Sequence, residues 1–184
     1  MANETLTTNI VRQHFQSDSS LTIEEQQTTT SEIQKLLNRA SKGKTGRKGF
    51  PEFILQHPDY SQIVGVVECS AERKRHESDA HNQPRDFAVD GALWYAEHLR
   101  KEFDVIALGV SGETKNELLV SVFLCLKGTQ GILPLRLKQN KLLPFKDYID
   151  LTQEQKETRQ RDYSQILKTF KKLNSDMHLS LIHI

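Results

Sequence analysis

"IVGVVECSAERKRHES", residues 63–78, decides the fold. It opens as an apolar, β-branched run and closes in Glu68, Cys69 and Ser70 before a charged segment, which predicts a strand. Ahead of it "FPEFIL", 50–55, is a second apolar run, and "QHPDY", 56–60, between them has turn chemistry. Together they predict a hairpin with its turn near Pro58–Tyr60. Glu52 then starts the first strand and Glu68 ends the second, so both carboxylates lie at the end away from the turn. A strand's period of two puts residues 68 and 70 on one face and Cys69 on the other, into packing.

Working downstream, 71–85 is charged and irregular. From Asp86 to about Lys101 one helical face returns, made of Ala88, Ala92, Tyr95, Ala96 and Leu99. Gly91 inside that helix costs roughly 1 kcal/mol against alanine, which predicts a close approach that requires it. Trp94 and Tyr95 read as packing residues. Asp90 reads either as a hydrogen-bonding group near the site or as a capping or solvated residue, and His76 and His81 either as contacts to phosphate or substrate or as surface loop histidines. "FDVIALGVSG", 103–112, is a nearly continuous apolar strand of the kind buried on both faces. "NELLVSVFLCLKG", 116–128, is another, reached through a turn at "SGETKN". A polar strand or loop covers 131–150, and 152–173 is a final helix with Tyr163, Ile166, Leu167, Phe170 and Leu173 at helical spacing. A hairpin followed by a crossover helix into a buried strand implies an α/β fold, a mixed sheet with helices packed on it.

Upstream, 1–28 is rich in Thr, Gln, Ser and Asn and reads as a loosely ordered leader with a short helix near 8–16. Residues 30–41 read as a helix, with Ile33, Leu36, Leu37 and Ala40 on one face and Thr29 and Glu32 at capping-box spacing. "SKGKTGRKG", 41–49, breaks that pattern with three glycines. Residues 35–48 carry Lys35, Arg39, Lys42, Lys44, Arg47 and Lys48 with no acid. Such a cluster can neutralise phosphates, or form a solvated basic loop.

The 184 residues are 36% hydrophobic and 27% charged, with a formal net charge of +1, which excludes a polycation. No apolar run approaches the ~20 residues of a membrane helix, and no secretory leader is legible. Cys69 and Cys125 lie in apolar runs and predict reduced, buried thiols in a cytoplasmic protein. No CxxC or close His/Cys cluster offers a zinc site. Neither GxxxxGK[ST] nor GxGxxG occurs.

Phosphodiester hydrolysis needs charge neutralised on the phosphate and an activated water, tasks suited to a metal ion. Mg²⁺ takes one or two carboxylates plus waters and substrate oxygens. Glu52 and Glu68 supply the carboxylates, and a nearby lysine can orient or deprotonate the water. Pro58-Asp59 is a second acidic pair, but it falls in the turn at the far end of the hairpin.

"GFPEF" followed by "VVECS" resembles the PD-(D/E)xK nuclease superfamily, with Pro51-Glu52 as the first half of the motif and Glu68-Cys69-Ser70 as the second. "FAVDGALWYAEHL" and "FDVIALGVSGE" resemble the N-terminal nuclease domain of restriction–modification polypeptides that fuse an endonuclease to an adenine-N6 DNA methyltransferase, to which a domain of type I restriction subunits is related. The resemblance covers roughly 30–172. It implies a restriction-endonuclease-like core, catalytic Glu52 and Glu68 with a Mg²⁺ ion between them, and Glu32 as an accessory acid or else a capping residue. It implies double-stranded DNA as partner, with Lys42, Lys44, Arg47 and Lys48 contacting phosphates. Methyltransferase and target-recognition domains or subunits would be further partners.

The departure is Ser70, where the family pattern has lysine. Either Lys74, Arg73 or Arg75 reaches back to replace the cation, or the carboxylates bind metal and cleave slowly, or the domain only binds DNA. No methyltransferase tetrapeptide is present, so S-adenosylmethionine enters only if such a domain follows. The domain reading is a leader over 1–28, a nuclease-like domain over 29–150 and a connector helix over 151–178. "LSLIHI", 179–184, resembles the translation of a transposase mosaic-end adaptor used in sequencing libraries, so these six residues are expected to be an artefact and the gene to continue beyond about His178.

Overall fold

An apolar run buried along its whole length has to lie inside a sheet covered on both faces, and residues 63–70 do. In chain order the elements are α1 (Glu4–Gln16), β1 (Thr22–Glu25), α2 (Ser31–Leu37), β2 (Phe53–Gln56), β3 (Ile63–Ser70), α3 (Ala88–Leu99), β4 (Asp104–Ser111), β5 (Leu119–Cys125), β6 (Leu133–Pro134) and α4 (Phe145–Ile182). This is a computed structural model describing residues 4–43, 48–135 and 140–182, with side chains over 5–43, 48–135 and 140–173.

The six strands form one sheet in chain order, β1 to β6. β2 and β3 are the expected hairpin, joined by a short 3-10 turn at Pro58–Tyr60. β3 and β4 pair in parallel, and every other neighbouring pair is antiparallel. α3 is therefore the crossover helix, and the fold is α/β with a mixed sheet, as the hairpin and the buried run predict. β4 is buried at all eight positions because it lies inside the sheet under cover on both faces.

On one face α2 and α3 pack through Ile33, Leu37, Val89, Tyr95 and Leu99 onto Ile54, Val66 and Ala107. On the other, Cys69 meets Thr8 of α1, and Phe145 at the start of α4 lies against β3 at Gly65. Cys69 and Cys125 are buried free thiols.

Several expectations are corrected. Residues 4–25 are part of the fold, forming α1 and the edge strand β1, and Val11 and Phe15 are buried. Their polar composition conceals this, because one or two apolar residues per turn suffice where a helix lies on a larger apolar sheet. Thr7, fully buried, donates through its hydroxyl to the carbonyls of Ser70 and Gly112 at the ends of β3 and β4. α2 ends at Leu37, and its N-cap is Thr30 with no side-chain cap. The capping box does not form, because Thr29 gives both its backbone N–H and its hydroxyl to the Glu24 carboxylate.

The chain forms two compact units, Met1–Tyr148, which holds the sheet, and Ile149–Ile184. α4 starts earlier than the expected 152 because Phe145 and Tyr148 are fully buried, and the Tyr148 hydroxyl accepts from Leu143 N–H at 2.8 Å. In the second unit Tyr163, Ile166, Leu167, Phe170 and Leu173 are all exposed. Residues 179–182 continue the helix, while 183–184 lie outside the described residues. No described helix is long and apolar enough to cross a membrane.

Candidate active site

The β2–β3 register pairs Phe53 with Val67, so the next position places Glu52 across from Glu68. The two glutamates thus reach one end of the hairpin by strand geometry, as their spacing predicts. Glu52 accepts the Cys69 N–H at 2.5 Å. Glu68 is 4% exposed and points toward α3, where its Oε2 lies 3.2 Å from the place a Cβ on Gly91 would take. Cys69 points the opposite way, as the pleat requires.

A buried carboxylate needs a partner charge. It comes from Lys42, whose Nζ is ion-paired and hydrogen-bonded to Glu68 Oε2. Lys42 lies in the segment after α2, twenty-six residues upstream. Its ammonium also sits 5.4 Å from the centroid of the Tyr95 ring on α3. A Cβ on Gly91 would come within 3.1 Å of that ammonium, so the glycine that interrupts α3 leaves the room in which lysine and glutamate meet.

Both glutamates act on the same two side chains. Burial pushes the Tyr95 phenol up, and the negative charges of Glu68 and Glu52 push it further. Burial likewise raises the Cys69 thiol well above its usual value, reinforced by Glu52 and Glu68. Tyr95 and Cys69 therefore stay protonated and neutral beside the carboxylates. Glu52 and Glu68 thus share one end of the hairpin, with Lys42 paired to Glu68; carboxylate oxygens are the donor type a hard divalent cation takes.

The basic segment is anchored at both feet. Trp94 Nε1 donates to Ala40 O at 2.8 Å before it, and Gly49 N donates to Leu37 O at 2.7 Å after it. Gly49 is required there, since a Cβ would lie 2.5 Å from Ala40 O and 2.6 Å from the Tyr95 ring. Lys44 and Arg47 lie outside the described residues. Lys48 stands over the Phe50 ring, 5.5 Å from its centroid.

The other predicted positions stand apart. The Lys74 side chain is 79% exposed and 3.2 Å from Glu72, which Arg75 also approaches at 3.4 Å. Ser70 is buried, and its hydroxyl lies 3.4 Å from Glu72 O. Glu32 is exposed in the first turn of α2.

His76 is not a surface histidine. It is buried, with hydroxyls of Ser111 and Ser121 each 2.9 Å from a ring nitrogen, and burial lowers its pKa. Asp90 is buried too. It accepts from Ser78 N–H, the Ser78 hydroxyl and Gln83 N–H, and so ties the charged segment to α3. Sequence reasoning missed Lys42 as the partner of Glu68. The one local signal of that approach was Gly91.

The α/β sheet thus places two acids at one strand end, one of them paired with a lysine. Among curated proteins the chain is 32% identical over 123 residues, 61% of its length, to the type II restriction enzyme and methyltransferase RM.BcgI of Heyndrickxia coagulans. It spans 19% of that protein's length. The similarity is distant and partial, and it relates the chain to a restriction–modification enzyme. No family model and no solved structure matches.

Proposed function

We propose that this chain is a Mg²⁺-dependent DNA endonuclease domain of a restriction–modification enzyme. The observation that carries the reading is the placement of Glu52 and Glu68 at one end of the β2–β3 hairpin, with Lys42 paired to Glu68. The similarity to a restriction enzyme and methyltransferase supports DNA as substrate. Glu52 and Glu68 hold the metal, which when bound activates a water and neutralises charge on the phosphate.

The chain's own groups do the rest. Glu52 is oriented by the Cys69 N–H, and Glu68 by the Lys42 ammonium against the Tyr95 ring. Lys42 sets a positive charge beside the scissile phosphate, the role that Ser70 cannot fill. Lys48 and the remainder of the basic segment hold backbone phosphate. Target recognition and methylation belong to other domains or subunits, and S-adenosylmethionine to a methyltransferase among them.

The test is plasmid cleavage with Mg²⁺ in the presence of those partners. Wild type cleaves, Glu68→Ala does not, and Ser70→Lys cleaves at least as fast as wild type. Absence of metal-dependent cleavage from every version sinks the proposal. Ser70 favours one second reading, a DNA-binding module of the same fold without catalysis. That module binds DNA in a salt-dependent way that Glu68→Ala leaves unchanged, and it gives no Mn²⁺ signal in calorimetry.

A further inference from the structure

Phe50 is half exposed, at 50%, and stands two residues before Glu52. A single exposed aromatic is ordinary on a protein surface. This one differs in how it is mounted and in what surrounds it. Its backbone N–H donates to the Tyr95 hydroxyl at 3.2 Å, and the preceding residue is tied to Leu37 O. Tyr95 is itself buried in the core and carries Lys42 over its ring. An unbroken chain of contacts therefore runs from Phe50 through Tyr95 and Lys42 to Glu68. The backbone that carries the ring is therefore anchored two residues before Glu52.

Its surroundings are cationic. Lys48 lies over the ring, and the segment from 35 to 48 contains no acid. An exposed aromatic face beside a lysine of a basic segment is the combination that holds unpaired nucleobases, with stacking on the ring and charge on the backbone. A hydrophobic protein partner would leave the charge of Lys48 unmatched at its edge.

We infer that Phe50 is a base-stacking residue that receives an unstacked nucleobase of the DNA next to the phosphate at Glu52 and Glu68. The inference rests on the endonuclease reading for its ligand and goes beyond it in substrate form. The site takes DNA with a base drawn out of the duplex near the cut, and Phe50 positions that strand without touching the reacting atoms.

The experiment is a binding titration of the full chain in EDTA, where no cleavage occurs. One probe is a short duplex with a small central bubble carrying 2-aminopurine, and the other is the same duplex fully paired. Wild type quenches the 2-aminopurine and prefers the bubble. Phe50→Ala loses the quench and binds the bubble about tenfold more weakly, with unchanged affinity for the paired duplex. Phe50→Trp keeps both properties, and thermal denaturation shows all three proteins equally folded. Wild-type affinity for the bubble in Phe50→Ala overturns the inference, as does failure of every version to bind either probe. Loss of the endonuclease reading through absent cleavage leaves these binding readouts standing, so the two failures are distinguishable.

Discussion

The ammonium of Lys42 is ion-paired with the buried carboxylate of Glu68, joining the segment after α2 to the end of β3. Removing one member of such a pair strands the other charge, whereas removing both leaves little to lose. Lys42→Ala is expected to destabilise the fold by about 1–3 kcal/mol, less than the loss of a fully buried partner because Lys42 is partly exposed. The double variant Lys42→Ala/Glu68→Gln recovers part of that loss. Urea denaturation of the two single variants and the double measures the coupling, and strict additivity would contradict the pair.

Lys42 and Lys74 offer rival answers to the missing lysine at position 70. Lys74 is solvated and bound to Glu72, so Lys74→Ala is expected to leave metal-dependent cleavage unchanged. Lys42→Ala lowers it by about a hundredfold, the scale of losing one preorganised stabilising group. Single-turnover cleavage rates decide between them, and the reverse order would return the role to Lys74.

Gly91 separates activity from stability. Alanine there gains roughly 1 kcal/mol of helix propensity, but its methyl would press on Lys42 Nζ and Pro84 O at 3.1 Å and on Glu68 Oε2 at 3.2 Å. Gly91→Ala is therefore expected to keep a melting temperature close to wild type while metal-dependent cleavage falls about tenfold or more. Equal cleavage in the two proteins would show that the pair does not need this space.

His76 gives the fold an acid limit. Burial lowers its pKa, opposed by Glu77 and assisted by Arg73. The unfolded chain therefore binds the proton more readily than the folded one. This contribution to stability is present above the ordinary histidine value of about 6.5 and is lost as pH falls below it. Urea midpoints measured on both sides of that value are expected to drop on the acid side for wild type, and to drop less for His76→Gln.

What the sequence alone determined is local and periodic. The β-branched run 63–70, the turn at 58–60 and the buried strand at 104–111 are legible because a strand's period and turn chemistry need only neighbouring residues. The opposition of Glu52 and Glu68 follows from them, since a hairpin register is set by its turn. Tertiary structure decided the rest. Residues 4–25 look polar, yet α1 and β1 close the fold because the apolar surface they cover belongs to distant strands. Lys42 reaches Glu68 across twenty-six residues, and no spacing rule encodes that. The approach exists because α2 and α3 pack on one face of the sheet, Trp94 and Tyr95 hold the feet of the basic segment, and Gly91 leaves the space. A buried charge takes its partner from whatever the packing places beside it, and packing is a property of the whole chain.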